Sequence, residues 1–214
     1  EHKESDYLDK NPTGRVPALS LPDNTTIGET GAIVALLGET FPQSGITPQP
    51  GDADRAEFLF WLNVMATTGY PTIARWNHPE RYAYAGTAIA EVEKKALVDL
   101  DAFFDIMEGA IAGDTSFLKR GFSALDYYLA MLTEWPSDRG ALFAAHPKIE
   151  AHYSGSKTPL LAEKDAMIWA VVSDMTEKWD ATSRAAGRPA TAPSAALATG
   201  TCFRVCATDR NRDG

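Results

Sequence analysis

Two short stretches of the 214-residue chain carry side chains that can hold a peptide ligand. In the first, Val16 precedes Pro17 at the head of a strand-like run, Val16-Pro17-Ala18-Leu19-Ser20-Leu21. A residue ahead of proline is confined to extended backbone. If the Val16–Pro17 bond is cis, the strand edge turns its N–H and C=O to solvent, where an extended peptide can pair with Val16 as an added strand. The alternative is a trans proline on an edge strand, and only about 5% of X–Pro bonds in folded proteins are cis. The second stretch is Gly28-Glu29-Thr30, at the start of an Ala- and Leu-rich helical pattern. A helix N-terminus presents unpaired N–H groups and partial positive charge, which suits a carboxylate. The Thr30 hydroxyl can donate to that carboxylate and Glu29 can accept from an ammonium group. Together they would read the α-amino-acid end of a γ-glutamyl peptide. The plainer alternative is that Glu29 and Thr30 cap the helix, the commoner fate of such residues.

The remaining reactive side chains argue for no second kind of chemistry. His78 and His146 each precede a proline, and His152 falls on what reads as a surface helix. None has partners at metal-ligand spacing, and no Ser-His-Asp grouping can be argued. Cys202 and Cys206 form a C-x3-C pair with no further ligands nearby, so neither a zinc site nor a disulfide framework is expected. The net charge of −9 and pI near 4.9 argue against a nucleic-acid partner. No apolar run approaches the roughly 20 residues that span a bilayer. The opening residues from Glu1 to Asp6 are polar and show no signal-peptide pattern. A cytoplasmic protein without a membrane or metal partner is the expectation. Trp61, Tyr70, Trp76, Tyr82 and Tyr84 read mostly as core, with some available to line an apolar pocket.

Several elements must position these groups. Asn11-Pro12-Thr13-Gly14 and Pro22-Asp23-Asn24 read as turns. Thr25-Thr26-Ile27 is a β-prone piece able to pair back on residues 16–21 as a hairpin. A short helix follows from Glu29 to Leu37, with Ile33, Leu36 and Leu37 on one face. Residues 38–51 hold Gly38, Pro42, Gly45, Pro48, Pro50 and Gly51, and 41–51 is the expected linker. Beyond it the pattern is helical only. Asp52 and Asp54 suit a helix start, and Gly69-Tyr70-Pro71 is expected to interrupt that helix. A long helix from Thr87 to Ala112 carries Ile89, Val92, Ala96, Leu100, Phe103, Met107 and Ile111 on its apolar face. Phe122-Ser123-Ala124-Leu125-Asp126 reads as a capping box, with Phe122 stapled to Tyr127. Its helix runs toward Trp135 and Pro136. Shorter helices are expected over Arg139–Ala145 and Pro147–Tyr153, and a last one over Glu163–Trp179. Residues 181–214 lose apolar periodicity and read as disordered. The order is therefore a small α/β domain at 1–40, a linker, and a helical domain at 52–180.

The run Asn11-Pro12-Thr13-Gly14-Arg15-Val16-Pro17-Ala18-Leu19, then Gly28-Glu29-Thr30-Gly31-Ala32-Ile33, resembles the glutathione transferase pattern N-P-x-G-[KR]-V-P-x-L followed by E-[ST]-x-A-I. The resemblance implies a thioredoxin-like N-terminal domain and an all-helical C-terminal domain. It also implies a cis Pro17, with Val16 pairing to the cysteinyl backbone of glutathione and Glu29-Thr30 holding the γ-glutamyl end. His2, Lys3 and Arg15 resemble the residues that theta-like members place near the glycine carboxylate. The family's thiol-activating residue follows its first strand, so it is expected upstream of residue 1, with the opening strand-helix-strand. The resemblance implies glutathione as co-substrate, a hydrophobic electrophile as second substrate, a homodimer and a detoxifying conjugation. Without that opening, conjugation is expected to be impaired. A non-catalytic interaction module of the same fold, or an incomplete gene product, is the alternative.

Overall fold

In a computed structural model, residues 5–162 are described, apart from Pro22 and Ala85, with side chains described as far as Gly155. His2, Lys3, Cys202, Cys206, the helix expected over Glu163–Trp179 and the tail 181–214 lie outside the described residues. The break between two compact units falls between Glu29 and Thr30.

The first unit opens with one helical turn, α1 (Ser5–Leu8), and a loop leading to a two-stranded antiparallel hairpin. Strands β1 (Ala18–Ser20) and β2 (Thr26–Gly28) pair in the register Ala18 with Gly28, Leu19 with Ile27 and Ser20 with Thr26. The hairpin expected from the β-prone pieces is thus present, closed by a loop that the sequence chemistry explains. Leu21 N–H donates to Thr25 O at 2.8 Å, and Asn24, at φ 69°, donates its N–H to Leu21 O at 2.9 Å. Asparagine is among the few side-chain residues that tolerate this left-handed region. Asp23 Oδ1 accepts the Thr25 hydroxyl at 2.6 Å and the Thr25 N–H at 2.9 Å. Those two bonds, the hydroxyl first, hold the Asp23 carboxyl below its ordinary range.

The second unit starts with α2 (Thr30–Thr40), which ends three residues beyond Leu37, the expected end of the helix. Its Val34 packs on the helical core. The proline- and glycine-rich stretch that follows is anchored to the helices. Phe41, Thr47 and Pro48 are buried. Arg55 Nη1 donates to Pro48 O at 2.5 Å, and the Ala124 N–H donates to Ile46 O at 2.8 Å. The Ala124 bond satisfies one of the donors that a helix start leaves unpaired.

The helices α3 (Arg55–Val64), α4 (Tyr70–Asn77), α5 (Thr87–Ala110), α6 (Ala124–Thr133), α7 (Arg139–Ala145) and α8 (Pro147–Ala162) make the rest. Gly69-Tyr70-Pro71 does not break the α3–α4 run, contrary to the sequence expectation. A π-helical turn, Met65–Gly69, carries the backbone through with helical angles at Gly69 and Tyr70, and the Tyr70 N–H donates to Met65 O. Pro71 brings no N–H, and a wider turn shifts the hydrogen-bond ladder where that donor would be missed. Gly69 is needed there, because a Cβ would lie 2.5 Å from Phe103 Cζ.

Asp52 and Asp54 do not cap α3 through their side chains. They form ion pairs with Arg120 at 3.4 and 3.1 Å, 68 and 66 residues away. Helix α6 is buried on most of its faces and accordingly central, with Leu125, Leu129 and Leu132 fully buried in one core with Phe58, Leu62, Phe103 and Met107. Of the aromatic set, Trp76 is buried and Trp61 half-buried, whereas Tyr70, Tyr82 and Tyr84 are exposed. Tyr82 and Tyr84 stand in the connection between α4 and α5, where no helical face carries them inward.

The capping box at Ser123 and Asp126 is formed on both sides. Ser123 Oγ accepts the Leu125 N–H, and Asp126 Oδ2 accepts the Ser123 N–H at 2.6 Å. Phe122 meets Tyr127 edge to face at 4.7 Å. His152, read from sequence as a surface residue, is fully buried and lies 2.9 Å from Asp126 Oδ1. It sits on the inner face of α8, three residues after the buried Ile149.

Candidate functional site

Antiparallel pairing decides where the two candidate stretches of the first unit go. Because Ala18 faces Gly28, the residues just before β1 and just after β2 leave the same end of the hairpin. Those residues are Val16-Pro17 and Glu29. The Val16–Pro17 bond is cis, as the family resemblance implies. Val16 is 63% exposed. Glu29 is exposed and has φ 66°, a left-handed conformation unusual for a side chain of its length. Nothing in the sequence signalled that conformation.

Thr30 is the first residue of α2 and opens the second unit. It heads an eleven-residue helix, long enough for the N–H groups and macrodipole of a helix start. Arg15 has an exposed side chain, and its carbonyl accepts the Tyr7 hydroxyl at 2.5 Å and the Asn11 amide at 2.8 Å. In the sequence Asn11 reads as a turn residue and as the head of the N-P-x-G pattern, and Tyr7 carries no signal. Asn11 is 6% exposed, and that burial of a polar side chain is a tertiary fact. Around it, Gly14 N–H donates to Asn11 O at 2.9 Å, and Gly14 takes φ 57° to complete the turn into Arg15.

The arrangement puts an exposed residue ahead of a cis proline and an exposed carboxylate-bearing residue at the same end of the hairpin. The backbone of the first can pair with extended peptide backbone, and the carboxylate can accept from an ammonium group. Among the described residues there is no group of three or more His, Cys, Asp or Glu placed to hold a metal ion. Among them, too, no helix is long and apolar enough to cross a membrane.

Comparison with known proteins agrees with this architecture. Residues 1–40 match the model of the glutathione S-transferase N-terminal domain. The glutathione S-transferase GstA of Escherichia coli O157:H7 is 32% identical over 133 residues, which cover 61% of this chain and 61% of that protein. The chain thus spans about three-fifths of that relative's length. A glutathione transferase homologue from Sulfitobacter, solved with bound glutathione, superposes with a TM-score of 0.65 at 28% identity, over 81% of this chain and 80% of that one. A sphingomonad glutathione S-transferase complexed with glutathione gives 0.62 at 26% identity, over 78% and 79%. The fold class is therefore a thioredoxin-like N-terminal domain joined to a helical C-terminal domain. The chain is thus similar to glutathione transferases, in its first 40 residues by the family model and over about three-fifths of its length by the curated relative.

Proposed function

We propose that this chain binds glutathione at the open end of its hairpin and serves its conjugation to a hydrophobic electrophile. The observation that carries the reading is the register of Ala18 with Gly28, which sends Val16-Pro17 and Glu29 out of one end of the hairpin. In this reading Val16 pairs with the cysteinyl backbone beside Pro17, and Glu29 accepts from the γ-glutamyl ammonium group. Thr30 and the start of α2 receive the γ-glutamyl carboxylate. Arg15, His2 and Lys3 are assigned the glycine carboxylate from the family resemblance alone. Support comes from the two relatives solved with glutathione.

Conjugation also needs a group that lowers the pKa of the glutathione thiol, because the thiolate is the nucleophile. No side chain among the described residues is assigned that role. A homodimer, a cytoplasmic setting and a detoxifying role belong to the same proposal, as does the division into domains at 1–40 and 52–180 joined by 41–51.

Calorimetric titration with millimolar glutathione tests the binding half. Saturable binding that weakens at least tenfold in Glu29→Ala is expected. Absence of binding in the unaltered chain would remove the proposal. A spectrophotometric assay with a chlorodinitrobenzene electrophile tests the conjugating half. Binding without turnover would leave a glutathione-binding module of the same fold.

A further inference from the structure

We propose that Asn11, together with Tyr7, is a positioning residue that aims the Val16 N–H at the bound peptide. The inference rests on the reading of Val16 as a glutathione-pairing edge. The Arg15 carbonyl accepts two donors, Asn11 Nδ2–H at 2.8 Å and Tyr7 Oη–H at 2.5 Å. The Arg15–Val16 peptide is trans, since the cis bond lies one residue later. In a planar trans peptide, the C=O and the following N–H point in opposite directions. Two donors on the Arg15 carbonyl therefore fix the Val16 N–H, pointing away from Asn11 and Tyr7. A ligand that pairs with Val16 needs that direction, because a hydrogen bond weakens steeply once its angle falls below about 120°.

The two donors are themselves held. Asn11 N–H donates to Tyr7 O at 2.8 Å, which fixes one residue to the other. Asn11 Oδ1 accepts the Thr13 hydroxyl at 2.8 Å and the Thr13 N–H at 3.3 Å. With Oδ1 engaged by donors, the amide has one consistent orientation, and Nδ2 faces the Arg15 carbonyl. Asn11 also lies against Gly28, where a Cβ would sit 3.3 Å from Nδ2. Gly28 is the residue before Glu29. One side chain thus bonds the residue before Val16 and fills the space where a side chain on the residue before Glu29 would stand.

Three variants separate this role from general support of the turn. Asn11→Asp keeps the size of the side chain and the acceptor for Thr13, but loses the donor to Arg15. Tyr7→Phe loses the second donor. Thr13→Val removes the hydroxyl bond to Asn11 Oδ1, keeps the backbone N–H that still engages that oxygen, and leaves both Arg15 bonds. Glutathione affinity by calorimetry is expected to fall about tenfold in Asn11→Asp, more in the double variant with Tyr7→Phe, and to stay unchanged in Thr13→Val. The Val16 amide resonance and its hydrogen-exchange rate, recorded without glutathione, are expected to change in Asn11→Asp and Tyr7→Phe and not in Thr13→Val. A double variant that binds glutathione as well as the unaltered chain, or a Val16 amide that does not move, overturns the positioning role. An unaltered chain that binds no glutathione removes the functional reading instead, and the Val16 amide then still decides the positioning role.

Discussion

The His152 ring and the Asp126 carboxylate, 26 residues apart, meet at 2.9 Å with both side chains fully buried. A carboxylate only accepts, so Nε2 of the ring donates. Asp126 also takes the Phe117 N–H at 2.6 Å, the Ser123 N–H at 2.6 Å and the Ser123 hydroxyl at 3.1 Å. One carboxylate therefore joins the loop before α6, the start of α6 and the inner face of α8. Asp126→Ala would strand those donors away from water and is expected to lower unfolding stability by about 3 kcal/mol or more. His152→Ala is expected to cost about 1–3 kcal/mol. Urea denaturation of both single variants and the double variant checks this. Strict additivity of the two losses would mean that the contact carries no coupling energy.

Glu29 offers a case where stability and binding part company. Its φ of 66° is a region that costs a residue with a Cβ about 1 kcal/mol or more, and glycine almost nothing. Glu29→Gly is therefore expected to be about 1 kcal/mol more stable than Glu29→Ala, offset in part by the greater freedom of glycine in the unfolded chain. Both variants lose the carboxylate and are expected to bind glutathione at least tenfold more weakly. Thermal melts and titrations of the pair give the comparison. Equal melting points would argue against backbone strain at this residue.

Gly38 and Thr47 pack without room for another atom. A Cβ at Gly38 would lie 1.8 Å from Thr47 Oγ1 and 2.6 Å from Thr47 Cβ. Gly38→Ala is expected to destabilise by about 2 kcal/mol or more, since the clash reaches beyond the tip of the side chain. Thr47 is 2% exposed, and its hydroxyl has no hydrogen-bond partner among the described residues. Thr47→Val, which removes that buried polar atom at similar volume, is expected to be neutral or stabilising by about 1 kcal/mol. Loss of stability in Thr47→Val, measured by the same denaturation, would show that the hydroxyl is satisfied.

Acid weakens the hairpin loop through Asp23. The bonds from the Thr25 hydroxyl and N–H depress its carboxyl below 3.8, the value of a free aspartate side chain. A depressed folded-state pKa contributes stability above pH 3.8, and that contribution disappears as the pH falls through the folded value. The Thr25 amide resonance is expected to titrate with a midpoint under 3.8 and to lose that titration in Asp23→Asn. A midpoint at or above 3.8 would contradict the depression.

Local chemistry made much of the fold readable before any coordinates. The capping box needs only residues three apart, and Ser123 and Asp126 announce it. The turn residues around Asn11 and Asp23 and the β-prone pieces between them announce the hairpin. The apolar face of α5 is written in its spacing, and the part that becomes buried runs from Ala96 through Met107 to Ile111 just past the helix end. At Gly69-Tyr70-Pro71 local rules gave the wrong outcome, because packing of Gly69 on Phe103 and a π-helical turn kept the helical path that proline alone would interrupt.

Residue types and spacing nominated Val16, Pro17, Glu29 and Thr30 as candidates, because an X–Pro edge and a helix start are properties of neighbours in the chain. Tertiary structure alone decided that His152 turns inward to Asp126 and that Asp52 and Asp54 reach Arg120. It alone placed the Asn11 amide between Arg15 and Gly28. Each of those outcomes joins residues well apart in sequence, and a buried polar side chain must find its partner wherever the packed chain brings one within hydrogen-bond reach.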